Sequence, residues 1–102
     1  MVQARNAKEI FIMGVASSME ETLARRFAPL RLDIVDLSHR HVGHSGARPG
    51  GESHFQVEIV AAAFEGKNRV ERQRMVYDAV AAELEGGVHA LSLKVLTPSE
   101  GK

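Results

Sequence analysis

At 102 residues the chain makes one domain, large enough to bury a core without covalent staples but with little to spare. Thirteen basic residues cancel thirteen acidic ones, which excludes a surface that is basic all over but leaves room for a local patch. With no cysteine there is no disulfide framework and no thiolate metal site from this chain alone, and no apolar run approaches the roughly 20 residues of a membrane span.

Residues 1–16 read as a flexible N-terminal extension. Ile10–Ala16 sits at the minimum length for a signal-peptide core but lacks a good cleavage pattern, so the chain reads as cytoplasmic, with Met13 as an alternative start or with this stretch extending the first helix backward. Ser17 with Glu20, or Ser18 with Glu21, has capping-box spacing and predicts a helix over about 18–28. Met19, Leu23 and Phe27 share its inner face, and Pro29 ends it. Leu30, Leu32 and Ile34 then alternate with Arg31 and Asp33, the period of a half-buried strand. A second strand over about 53–62 puts Phe55, Val57 and Ile59 on one face, and the two strands read as an antiparallel hairpin. From about Val70 to Glu85 a helix carries Val76, Val80 and Leu84, and Gly86-Gly87 stop it. A third strand over about 88–96 sets His89, Leu91, Leu93 and Val95 on one parity; the tail 99–102 reads as frayed. The order is α-β-β-α-β, an α+β layer of helices on one face of a three-stranded sheet.

The unusual stretch is Asp36–Phe55, DLSHRHVGHSGARPGGESHF, between the first two strands. It carries four of the five histidines, His39, His41, His44 and His54. A loop of that length in a small domain is usually functional or disordered. Neutral imidazole is a common ligand for Zn, Cu and Fe. His41 and His44 stand three apart around Gly43, and His89 can join them if the third strand lies beside the loop. Each has a bland alternative: a solvated loop histidine for His39, His41 and His44, a hydrogen-bonding strut for His54, a satisfied core histidine for His89. No serine or cysteine nucleophile stands in a strained glycine turn and no His-Glu helix motif is present, so the chain reads as no enzyme. Lys67, Arg69, Arg72 and Arg74 form a second constellation at the start of the long helix, where anions are favoured. It reads as a solvated charged face or as a phosphate-contacting, nucleic-acid-binding surface. The GxxG clamp of KH domains is not met, because Gly66-Lys67-Asn68-Arg69 lacks its second glycine.

The run SHRHVGHSGARPGGESHFQVEIV, followed by FEGKNRVERQRMVYDAVAAELEGGVHALSL and TP, closely resembles the BolA family over about residues 18–98. The resemblance implies a BolA-like domain over 17–98. Its fold is similar to type II KH domains, with α-β-β-α-α-β order and a short extra turn before the long helix. It also implies a heterodimer with a monothiol, CGFS-type glutaredoxin and a shared [2Fe–2S] cluster, with no cofactor held by the isolated chain, itself a monomer or weak homodimer. The family's C-terminal histidine ligand maps onto His89 and its loop ligand onto His41 or His44. With no cysteine here, thiolates would come from the partner and glutathione. Some bacterial members are described as DNA-binding regulators of stress response and cell shape. The Arg-His-Arg of that surface stands here as Arg72-Gln73-Arg74, altered at its centre.

Overall fold

The computed structural model describes residues 14–37, 54–85, 88 and 90–101. Helix α1 spans Val15–Phe27 and starts earlier than the serine pair predicts, from Gly14 at φ 86°, a conformation that suits glycine. The capping box at Ser17 and Ser18 does not form. Ser18 is instead fully buried inside the helix, where its hydroxyl donates to Glu83 Oε2 at 2.5 Å. Met19, Leu23 and Phe27 face the core as their spacing requires. The helix closes with Ala28 in the left-handed region, its N–H donating to Ala24 O, just before Pro29.

Strands β1 (Arg31–Asp36) and β2 (His54–Val60) pair antiparallel, with Leu32 opposite Ile59 and Ile34 opposite Val57. Leu30 falls outside β1 and is 76% exposed, so the expected inward row begins at Leu32. Phe55, Val57 and Ile59 are completely buried, as alternation predicts. On the opposite face Arg31 pairs with Glu58 and Asp33, and Lys94 with Glu58, a surface network whose members are partly or largely exposed.

The short extra turn is a 3₁₀ turn, Ala62–Phe64, which drives Phe64 into the core against Phe27 at a ring-centroid distance of 4.9 Å. Gly66 then takes φ 77°, which needs glycine. Helix α2 spans Arg69–Ala79, and a true capping box sits at its head: Glu71 N–H donates to Asn68 Oδ1, and Asn68 N–H to Glu71 Oε1, both at 2.8 Å. The Asn68-x-x-Glu71 spacing carries this signal, its cap two residues before the helix start expected near Val70. Asn68→Ala is expected to lower stability by about 1 kcal/mol in urea melts. Val80, at φ −105° and ψ 22°, breaks the expected single helix, and α3 follows as Ala81–Glu85. Val80 N–H to Val76 O and Leu84 N–H to Val80 O carry the ladder across the break.

Strand β3 (Ala90–Leu96) lies parallel to β2, giving the sheet order β1-β2-β3. Parallel pairing needs a crossover, here supplied by the 3₁₀ turn, α2 and α3. The described order, α-β-β-3₁₀-α-α-β, is an α+β mixed sheet with helices against one face. The core joins Met19, Leu23, Phe27, Phe64, Val76 and Val80 to the inner face of β2. Leu91, Leu93 and Val95 have the expected parity but are only half-buried, because β3 is an edge strand.

The ordered unit also runs past 98. Glu100 N–H and Gly101 N–H both donate to Thr97 O at 3.0 Å. Gly101 lies so close to Val60 that a Cβ there would meet its methyls at 2.7–2.8 Å. The frayed tail expected from 99 onward is therefore a folded turn through Gly101. Of the flexible extension expected over 1–16, residues 1–13 lie outside the described residues, whereas Val15 and Ala16 belong to α1 and pack against the core.

Candidate functional site

Two places carry the candidate residues. The first is one end of the sheet. Leu37 N–H donates to His54 O at 2.8 Å, so the two ends of the histidine-rich stretch are pinned together. The Cα of His54 pairs in turn with that of Ala90, the residue after His89. Leu37, His54 and Ala90 thus gather at one end of the sheet. His39, His41, His44 and His89 themselves lie outside the described residues. His54 is half-buried at the head of β2 and has interactions of its own. Tyr77 on α2 fixes the head of β3 from the side, its hydroxyl donating to Leu91 O at 3.1 Å. Among the described residues no group of three His, Cys, Asp or Glu side chains is placed to hold a metal.

The second place is a groove of about 620 Å³ between the start of α2 and the outer edge of β3. Three of the four cations expected at the helix start line it, Lys67, Arg69 and Arg72; Arg74 does not and is exposed. Arg72 is no free cation. Its Nε donates to Lys67 O at 2.9 Å, and its Nη1 to Glu100 Oε1 at 2.7 Å and Val95 O at 3.3 Å. It fastens the helix start, the β3 edge and the C-terminal turn to one another. Lys94 and Glu100 also line the groove, and sequence reasoning missed both. Lys94 was legible as the outward residue of an alternating strand; Glu100 had no local signal, since its partner lies 28 positions away.

Glu100 Oε1 also accepts the Thr97 N–H at 2.8 Å. The hydrogen bond from Arg72, and then that from Thr97, pull its carboxyl down to about 2. A depressed carboxylate pKa means that the folded state binds fewer protons than the unfolded one between about 2 and 4.5. Its stabilising contribution is therefore complete above about pH 4.5 and lost as pH falls toward 2. The stability difference between wild type and Glu100→Gln in urea melts is expected to be flat from pH 5 to 7 and to vanish near pH 2. A difference that instead grows in acid contradicts the assignment.

The chain matches the family model described as BolA-like protein over residues 23–100. It belongs to the BolA family. Among BolA-family relatives, Protein BOLA1, chloroplastic, of Arabidopsis thaliana is 47% identical over 87 residues, covering 83% of this chain and 54% of the relative. The chain thus spans about half the length of that protein. The DNA-binding transcriptional regulator BolA of Escherichia coli (strain K12) is 40% identical, covering 86% of this chain and 80% of the relative. The BolA domain of SufE1 from Arabidopsis thaliana superposes with a TM-score of 0.75 at 39% identity, covering 85% of this chain and 95% of that one. The α+β sheet described above is the BolA fold, including the turn that precedes α2.

Proposed function

We propose that this BolA-family chain is a non-enzymatic, cytoplasmic adaptor that pairs with a monothiol, CGFS-type glutaredoxin and shares a glutathione-linked [2Fe–2S] cluster with it. The supporting observation is the gathering of Leu37, His54 and Ala90 at one end of the sheet. It anchors both ends of the stretch that contains His41 and His44 beside the strand that His89 precedes. The donor chemistry fits half of a cluster. This chain supplies imidazoles, and with no cysteine it leaves the thiolate positions to its partner and glutathione. His89 and one of His41 or His44 are the ligands, used in iron–sulfur trafficking or iron and stress regulation. Bound, the cluster supplies an iron–sulfur cargo or sensing centre; the chain's part is to bind and orient it.

The test is anaerobic reconstitution of the mixed complex with a CGFS glutaredoxin and glutathione, read by visible absorption and circular dichroism. A reddish-brown heterodimer whose spectrum differs from that of the glutaredoxin homodimer is the expected result. The spectrum of the homodimer alone, with this chain left colourless and unbound, contradicts it.

A second reading has its own observation. The groove gathers Lys67, Arg69, Arg72 and Lys94 on a chain of no net charge, so the cations are concentrated rather than spread. The relative in Escherichia coli is named as a DNA-binding regulator. On this reading the α2–β3 face contacts the phosphate backbone of a DNA duplex, with Lys67 and Arg69 as the side chains left to reach it.

A further inference from the structure

We propose that the groove contains an anion site already filled by the chain's own Glu100, and that a nucleic-acid phosphate must displace this carboxylate to bind there. The inference rests on the second reading above, and it adds a self-blocking contact to it.

The site is built before any ligand arrives. One oxygen of Glu100 receives a guanidinium N–H at 2.7 Å and the backbone N–H of Thr97 at 2.8 Å, the two-donor geometry that any anionic oxygen wants. Arg72 cannot turn away. Its side chain is only 16% exposed and is held on two other sides by the carbonyls of Lys67 and Val95. The carboxylate is the mobile member, with its side chain 46% exposed. When it swings out, the turn keeps both backbone bonds to Thr97 O. Release therefore needs a side-chain rotation and no unfolding.

The chemistry of the occupant selects the competitor. A carboxylate offered by another protein would face an identical group tethered next to the site, at high effective concentration. A polyphosphate chain does better, because it meets Arg72 and the exposed Lys67 and Arg69 together and releases counterions as it does so. Groove cations outnumber the single groove carboxylate, and Lys94 is shared with Glu58 at 3.6 Å on the open face. The unblocked groove is thus strongly positive.

Glu100→Gln is the informative change, because the amide oxygen still accepts from Thr97 and Arg72 while the charge is gone. Two probes separate this inference from the reading beneath it: inorganic tripolyphosphate and a short DNA duplex, each titrated against the full chain at low salt. Glu100→Gln is expected to bind tripolyphosphate about tenfold more tightly than wild type. The gain should disappear in Glu100→Gln/Arg72→Ala, and Glu20→Gln, an exposed carboxylate on α1, should show little of it. Equal tripolyphosphate binding by wild type and Glu100→Gln overturns the inference, as does a similar gain from Glu20→Gln. If duplex binding tightens in parallel and its log–log salt slope steepens by about 0.9, one added phosphate contact, both readings stand. If tripolyphosphate tightens and neither protein binds duplex, the blocked anion site stands and the nucleic-acid reading falls.

Discussion

His89→Ala is expected to fold as the wild type does and to bind apo-glutaredoxin, yet to lose the altered visible spectrum of the mixed complex. The effect should be close to all-or-none. The substitution would remove an imidazole that this chain is proposed to offer the cluster, and no cysteine in this chain could take its place. His41→Ala and His44→Ala should separate, one changing the spectrum and the other not, while His39→Ala is silent. Imidazole ligates only in its neutral form, and free imidazole titrates near 6.5. Loading of the mixed complex should accordingly weaken in mild acid. A wild-type circular dichroism spectrum at full occupancy in His89→Ala would remove His89 from the ligand set.

Phe64→Ala is expected to be the most destabilising single change among the described core residues. The ring is completely buried and stacks on Phe27 at a 42° tilt, so truncation opens a cavity that α1 and the 3₁₀ turn line together. A loss of about 3–5 kcal/mol is the usual scale for a buried phenylalanine, against roughly 5–15 kcal/mol for the stability of a whole domain. Denaturant melts would show it directly as a lowered midpoint. A loss below about 1 kcal/mol would mean that the turn collapses into the gap, with α1 following it.

The residues that were legible from sequence are those whose position is fixed by a short period. Phe55, Val57 and Ile59 could only face one way together, because a slip of one residue would turn all three to solvent. Met19, Leu23 and Phe27 were legible for the same reason, at helical spacing. The start of α1 was not. Ser18 has two competing uses for its hydroxyl, capping the helix or reaching Glu83, and the second depends on a contact 65 positions away. The direction of β3 was equally hidden, since alternation is the same in parallel and antiparallel strands. Leu93 shows a third limit: parity places it inward, but only the strand order leaves it half-buried at an edge. At the candidate site the basic cluster was visible as composition, whereas the Arg72–Glu100 contact that closes it was not.

The Leu37–His54 hydrogen bond has a consequence for how such a protein can diversify. It ties off the sixteen residues between them, so insertions or deletions there leave the pairing of β1, β2 and β3 untouched. Each doubling of such a closed segment costs only about 0.6 kcal/mol in loop-closure entropy. The head of β3 has no comparable freedom, because Ala90 is locked in register with His54. Spacing and composition between residues 38 and 53 can therefore drift over generations while the register of β2 and β3 is held by the sheet. Variants differing only between residues 38 and 53 would be a natural source of altered partner preference on an unchanged scaffold.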